Sequence, residues 1–287
     1  MPKDKKMPKE YALVVSLIIF FVVIIIVGTI RVINITRYNS VKVDLSSLAV
    51  IEQDTSINYN MYNIGIVNAL REKYSVDVYY GDNINVQSVD AVGISKDKDI
   101  FNMLLNISNT LSMYPDSLIK EIEEKGYTVS IYLVDHFNTN MEALANRNSI
   151  GQFKIYMSKN TNIERALHHE FYHILDYYIK LEKEDKAKLY EDWENINPQG
   201  FVYTEDVDNI TGKYVYEGKS GAYFVTAYAK YSEKEDRAET FAEMVTADRQ
   251  ELFFENGEPI SSKMNILKKV LINSFESINI STKIVSD

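Results

Sequence analysis

Three of the chain's four histidines fall within six residues, in the segment HHEFYH, where His169, Glu170 and His173 have the spacing HExxH. Four residues advance a helix by about one turn, so the two imidazoles project from one side and can grip a single metal ion. Glu170 sits next to them, close enough to polarise a water molecule rather than to ligate. Residues of these types at this spacing do metal-assisted hydrolysis. His168 points about 100° away from His169 and reads as a packing residue, while His136 lies near the end of a strand without a partner.

A catalytic zinc site has three protein ligands and one open position. Neither glycine nor histidine occurs between His173 and Gly200, which excludes a third histidine reached through a glycine turn. The third ligand must come from a second helix, and YSEKEDRAETFAEMVTADR reads as that helix. Ser232 and Glu235 make a capping box, which assigns Glu235 a structural role. Glu239 lies one turn further in, flanked by the small Ala238 and Ala242, and is expected to be the ligand. Glu243 follows on the same face as an acceptor for an imidazole N–H, and Asp236 stands in reserve.

The first of these helices must begin at Thr161 and Glu164, a T-x-x-E capping box. It runs on as IERALHHEFYHILDYYIKL, with Ile163, Leu167, Phe171, Ile174 and Tyr178 on one apolar face. Upstream, periodicity predicts a helix over 60–73, strands at 75–80 and 91–94, and helices over 98–113 and 116–125. Strands follow at 127–134 and 153–157. The expectation is an α+β, zincin-like domain with a small mixed sheet packed on the HExxH helix.

The 287 residues suffice for one sizeable core. There is no cysteine, which excludes disulfides and thiolate ligands and leaves His, Asp and Glu to bind metal. Residues 11–30 form an uncharged apolar run long enough to cross a bilayer. Lys3, Lys5, Lys6 and Lys9 before it favour a cytoplasmic N-terminus. The organisation expected is a basic tail (1–10), a transmembrane helix (11–30), a stalk (31–45) and an extracytoplasmic domain (46–287), with a cleaved, secreted form as the alternative. Beyond residue 37 the chain holds 25 basic against 39 acidic side chains, a charge of −14 that repels phosphate backbones and makes nucleic acid an unsuitable partner.

HHEFYHILD, followed some sixty residues later by EDRAETFAE, resembles the catalytic domain of the anthrax lethal-factor-like metallopeptidases, a gluzincin group. The likeness covers about 100–275, including the strand GQFKIYM. It implies one Zn2+ per chain held by His169, His173 and Glu239, with Glu170 as general base and a tyrosine ahead of the second helix assisting the oxyanion. Tyr228 in TAYAK fits that place, with Tyr231 as the alternative. Asp176 matches the group's HExxHxxD pattern, either orienting a ligand or pairing with a neighbouring charge. The long toxin regions of that group are absent. The expected activity is hydrolysis of peptide bonds in protein substrates, with an edge strand carrying Phe153, Ile155 and Met157 receiving the peptide main chain. The competing readings are a surface module with a structural or degenerate metal site, and a hydrolase of cell-wall cross-links.

Overall fold

The computed structural model describes residues 42–48, 58–148 except 83, 151–217 except 207 and 209, 221–246 and 259–285. The apolar run 11–30 and the stalk up to residue 41 lie outside the described residues. Among those described, no helix is long and apolar enough to cross a membrane.

The chain first forms α1 (Tyr59–Tyr74), β1 (Val76–Tyr79), β2 (Ala91–Gly93), α2 (Asp97–Leu111) and α3 (Leu118–Glu123). The strands β3 (Thr128–Phe137), β4 (Ala143–Arg147) and β5 (Gln152–Ser158) follow. Then come α4 (Ile163–Glu182), the single turn α5 (Glu184–Ala187), α6 (Glu233–Val245) and α7 (Pro259–Ser274). The sheet is mixed, in the order β1-β3-β5-β4, with β2 pairing antiparallel to the far end of β3. β1, β3 and β5 run parallel, and β4 returns antiparallel to β5. This is the α+β arrangement expected, with β4 as a further strand between the two predicted at 127–134 and 153–157.

That strand, β4, alters the substrate expectation. β5 is hydrogen-bonded on both sides, by β3 and β4, so it cannot accept a further strand. Alternation along β5 turns Phe153, Ile155 and Met157 inward, each at most 2 % exposed, into the core beneath α4. Tyr156 faces the smaller cluster on the other side, with Val86, Val89, Val134 and Phe137. The edge of the sheet is β4. Gly151, at φ +81°, supplies the left-handed turn that brings the chain back from β4 into β5.

The predicted apolar face of α4 is buried in full: Ile163, Leu167, Phe171, Ile174 and Tyr178 all lie in the main core. Five such side chains contribute on the order of 10 kcal/mol of transfer free energy, so packing fixes where the helix lies. Its cap differs by one residue from expectation. Asn162 accepts the Arg165 N–H at 3.3 Å, whereas the Thr161 hydroxyl turns to Glu142 instead.

α6 lies antiparallel on α4, and its charged residues fan out by 100° per residue. Asp236, fully buried, accepts from Lys263 of α7 at 2.6 Å, from the Trp193 indole at 3.0 Å and from the Tyr203 hydroxyl at 2.8 Å. It therefore faces away from the histidines and is removed as a ligand. Arg237, also fully buried, reaches across to Asp176 of α4 at 3.0 Å, pairs with Glu233, and lies over the Tyr190 ring.

Candidate metal centre

His169 and His173 leave α4 on one side, and their Nε2 atoms come within 3.1 Å of each other. The carboxylate that joins them belongs to Glu235, not Glu239: its Oε2 lies 3.1 Å from His169 Nε2 and 3.2 Å from His173 Nε2. Among the described residues these three form the group able to hold a metal ion. Donors about 2.0–2.1 Å from a tetrahedral zinc stand about 3.3 Å apart, which the observed spacing matches. Two imidazole nitrogens and a carboxylate oxygen converging at this spacing are a donor set that fits zinc.

Glu235 escapes the role expected of it because its cap is only half of a box. The Ser232 hydroxyl accepts the Glu235 backbone N–H at 3.3 Å, but the Glu235 side chain does not fold back to Ser232. It is free to reach the histidines, and the first turn of a helix is a favourable place for its charge.

Glu239, one turn on, stands behind the site. Its Oε2 accepts from Arg165 at 2.7 Å and from the Thr226 hydroxyl at 2.7 Å. Its Oε1 lies 2.7 Å from His169 Nδ1, off the line of the ring N–H, so that contact is electrostatic more than an aligned hydrogen bond. With three cationic or polar neighbours, this carboxylate is placed to orient the His169 ring and stands outside the three converging donors. Glu243, expected to accept an imidazole N–H, lies 3.9 Å from Arg165. Asp176 pairs with Arg237 and with Lys180 at 3.3 Å and so fastens α4 to α6.

The electrostatics follow from this layout. Burial works against charge on His169, but the Glu235 and Glu239 carboxylates outweigh it and raise its pKa to about 10. Burial likewise resists ionisation of Glu239, yet contacts with His169 and Arg165 bring it down to about 2. Glu235 is held below the usual carboxylate range by the two imidazoles, in spite of burial. Glu170 goes the other way. It is buried against the edge strand, and desolvation raises its pKa although both histidines and a backbone hydrogen bond from Ala145 oppose the shift. A carboxylate raised in this way is a better proton acceptor near neutral pH.

Tyr228 stands at the mouth, in the single 3-10 turn Tyr228–Lys230, its ring 6.2 Å from that of His169. Thr226 braces this turn, accepting the Ala229 N–H at 3.2 Å while donating to Glu239. Burial and the neighbouring carboxylates raise the Tyr228 pKa and keep the phenol a donor. Tyr231 stacks on its outer side at 5.7 Å. His168 is buried with Nδ1 2.6 Å from the Tyr114 hydroxyl, and His136 pairs with Asp135 at the surface; neither enters the site.

Beside these residues runs a cleft of about 960 Å³ with β4 as one wall and α4 as its floor. Residues 108–279 match the family described as "Putative zinc-binding metallo-peptidase". The chain belongs to this family. The match establishes the zinc-metallopeptidase part of the resemblance, not the lethal-factor-like subtype. A crystal structure described in the same words, from Bacteroides caccae ATCC 43185, is similar at 18 % identity and a TM-score of 0.43, covering 81 % of this chain and 93 % of that one. No curated protein matches.

Arg165, Thr226 and the β4 wall were not foreseen. Arg165 had a signal, since it lies four residues before His169 on the same helical face. Thr226, in a loop, had none.

Proposed function

We propose that this protein is a zinc-dependent endopeptidase that cleaves peptide bonds in protein substrates outside the membrane, anchored by residues 11–30. The observation that carries the reading is the convergence of two imidazole nitrogens and the Glu235 carboxylate on one point, with Glu170 and the outer strand β4 beside it.

His169, His173 and Glu235 would hold the ion, and Glu239 with Arg165 would fix the His169 ring. Zinc bound there would supply Lewis acidity and lower the pKa of water. An extended peptide would pair antiparallel with β4, placing its main chain along the cleft. Glu170 would accept the proton of the attacking water and pass it to the leaving amine. The Tyr228 hydroxyl would donate to the oxyanion that develops on the scissile carbonyl. A purely structural zinc takes four protein ligands, whereas three converge here among the described residues, which favours the hydrolase over a binding module.

The test is cleavage of a diverse quenched-fluorescence peptide library by the purified full chain, with zinc, with chelator, and with zinc restored. Cleavage abolished by chelator and returned by zinc supports the reading. Equal cleavage in all three arms, or none in any, would reject it.

A further inference from the structure

The cleft continues past His173 to an end whose charge opposes that of the molecule. Arg147, the last residue of β4, turns onto the α4 side of the sheet, the same face as Ala143 and Ala145. Its guanidinium lies over the Tyr177 ring at 4.6 Å and donates to the Tyr177 hydroxyl. Its Nε is buried without a hydrogen-bond partner. Lys180 and Lys234 line the same cleft, close enough for the Lys234 charge to act on Lys180. The acid at this end, Asp176, is engaged by both Arg237 and Lys180, which leaves Arg147 and Lys234 as the charges open to a ligand. In a chain of net charge −10, a half-buried guanidinium open to a binding cleft calls for an anionic partner.

We infer that this end of the cleft is a subsite for an acidic side chain of the substrate, with Arg147 as the residue that selects it, supported by Lys234. The inference rests on the peptidase reading and names its substrate class. β4 and α4 run in the same sense along the cleft: Glu142 and Ala143 neighbour Arg165, and Arg147 neighbours Tyr177. A peptide antiparallel to β4 therefore lays its N-terminal side toward Arg147. Tyr177 and Lys180 are four and seven residues beyond His173, about 6 and 10 Å along the helix. That is two to three residues of extended peptide, so the acidic residue sits second or third before the scissile bond.

The experiment sequences the products of the zinc-loaded full chain acting on a peptide library, then measures Glu, Gln and Lys versions of the best peptide with the wild type, Arg147→Gln and Arg147→Lys. The expected result is Asp or Glu enriched at one position on the N-terminal side of the cut. Arg147→Gln should raise KM for the Glu peptide about tenfold to a hundredfold, leave kcat unchanged, and cleave the Gln peptide as the wild type does. Cleavage of the Gln peptide together with zinc content shows that the variant is folded. Arg147→Lys should recover part of the KM. Zinc-dependent cleavage without that preference, or a preference that Arg147→Gln leaves intact, overturns the subsite and spares the peptidase. Absence of any zinc-dependent cleavage overturns both.

Discussion

The two glutamates of α6 can be told apart by what each loses when removed. Glu235→Ala deletes a donor from the group of three, and zinc bound per chain should fall to near zero at a concentration where the wild type is saturated. Glu239→Ala leaves the three donors in place, and affinity should drop about 10- to 100-fold, the usual effect of losing a group that orients a ligand. Competition with a chromophoric chelator measures both, and the opposite ranking would return the ligand role to Glu239. Glu170→Gln should keep zinc stoichiometry while lowering kcat by roughly 10²–10⁴, read from peptide turnover. His168 supplies a pH test. Burial lowers its pKa to about 4, so between pH 6.5 and 4 the unfolded chain binds the proton that the folded chain refuses. Stability therefore falls as pH drops through that window, by about 2 kcal/mol from pH 6.5 to 5 on the 1.36 kcal/mol-per-unit scale. Urea unfolding at the two pH values should show a smaller loss for His168→Gln.

Elements were legible in the sequence in proportion to their apolar periodicity. The HExxH helix, with its five-residue stripe, and α6, with its serine cap, were found where they stand. β4 was not, because ALANR has few residues that favour strands and five positions give little room for alternation. Its weakness as a signal has a physical purpose: Ala143 and Ala145 are small, which lets α4 bring Glu170 up against the strand. The expectation of Glu239 turned on a capping box at Ser232 and Glu235; only its serine half forms, and the Glu235 carboxylate reaches the histidines instead. At this scale the prediction concerns the Arg237–Asp176 bridge between α4 and α6. Arg237→Met leaves the buried Asp176 with only the half-exposed Lys180 as a cationic partner and should cost about 3 kcal/mol, measured by denaturant unfolding. The double variant Arg237→Met/Asp176→Leu should recover much of that loss, since the charges left over, Lys180 and Glu233, reach solvent.

For the molecule as a whole, the apolar run 11–30 predicts that the full chain remains with membranes after an alkaline wash, while a variant lacking residues 1–41 is released. Recovery in the wash of a shortened chain that begins after residue 30 would argue for cleavage after the run, and recovery of the intact chain would refute the anchor. The architecture also bears on when the metal-binding group forms. Lys263, on α7, neutralises Asp236, the immediate neighbour of Glu235. Until α7 is docked, that buried acid lacks its cationic partner, although Trp193, Tyr203 and the Arg237–Asp176 bridge already hold α6. The metal-binding group is thus assembled late: the segment that carries α7 has to join the fold before the buried neighbour of Glu235 is paired.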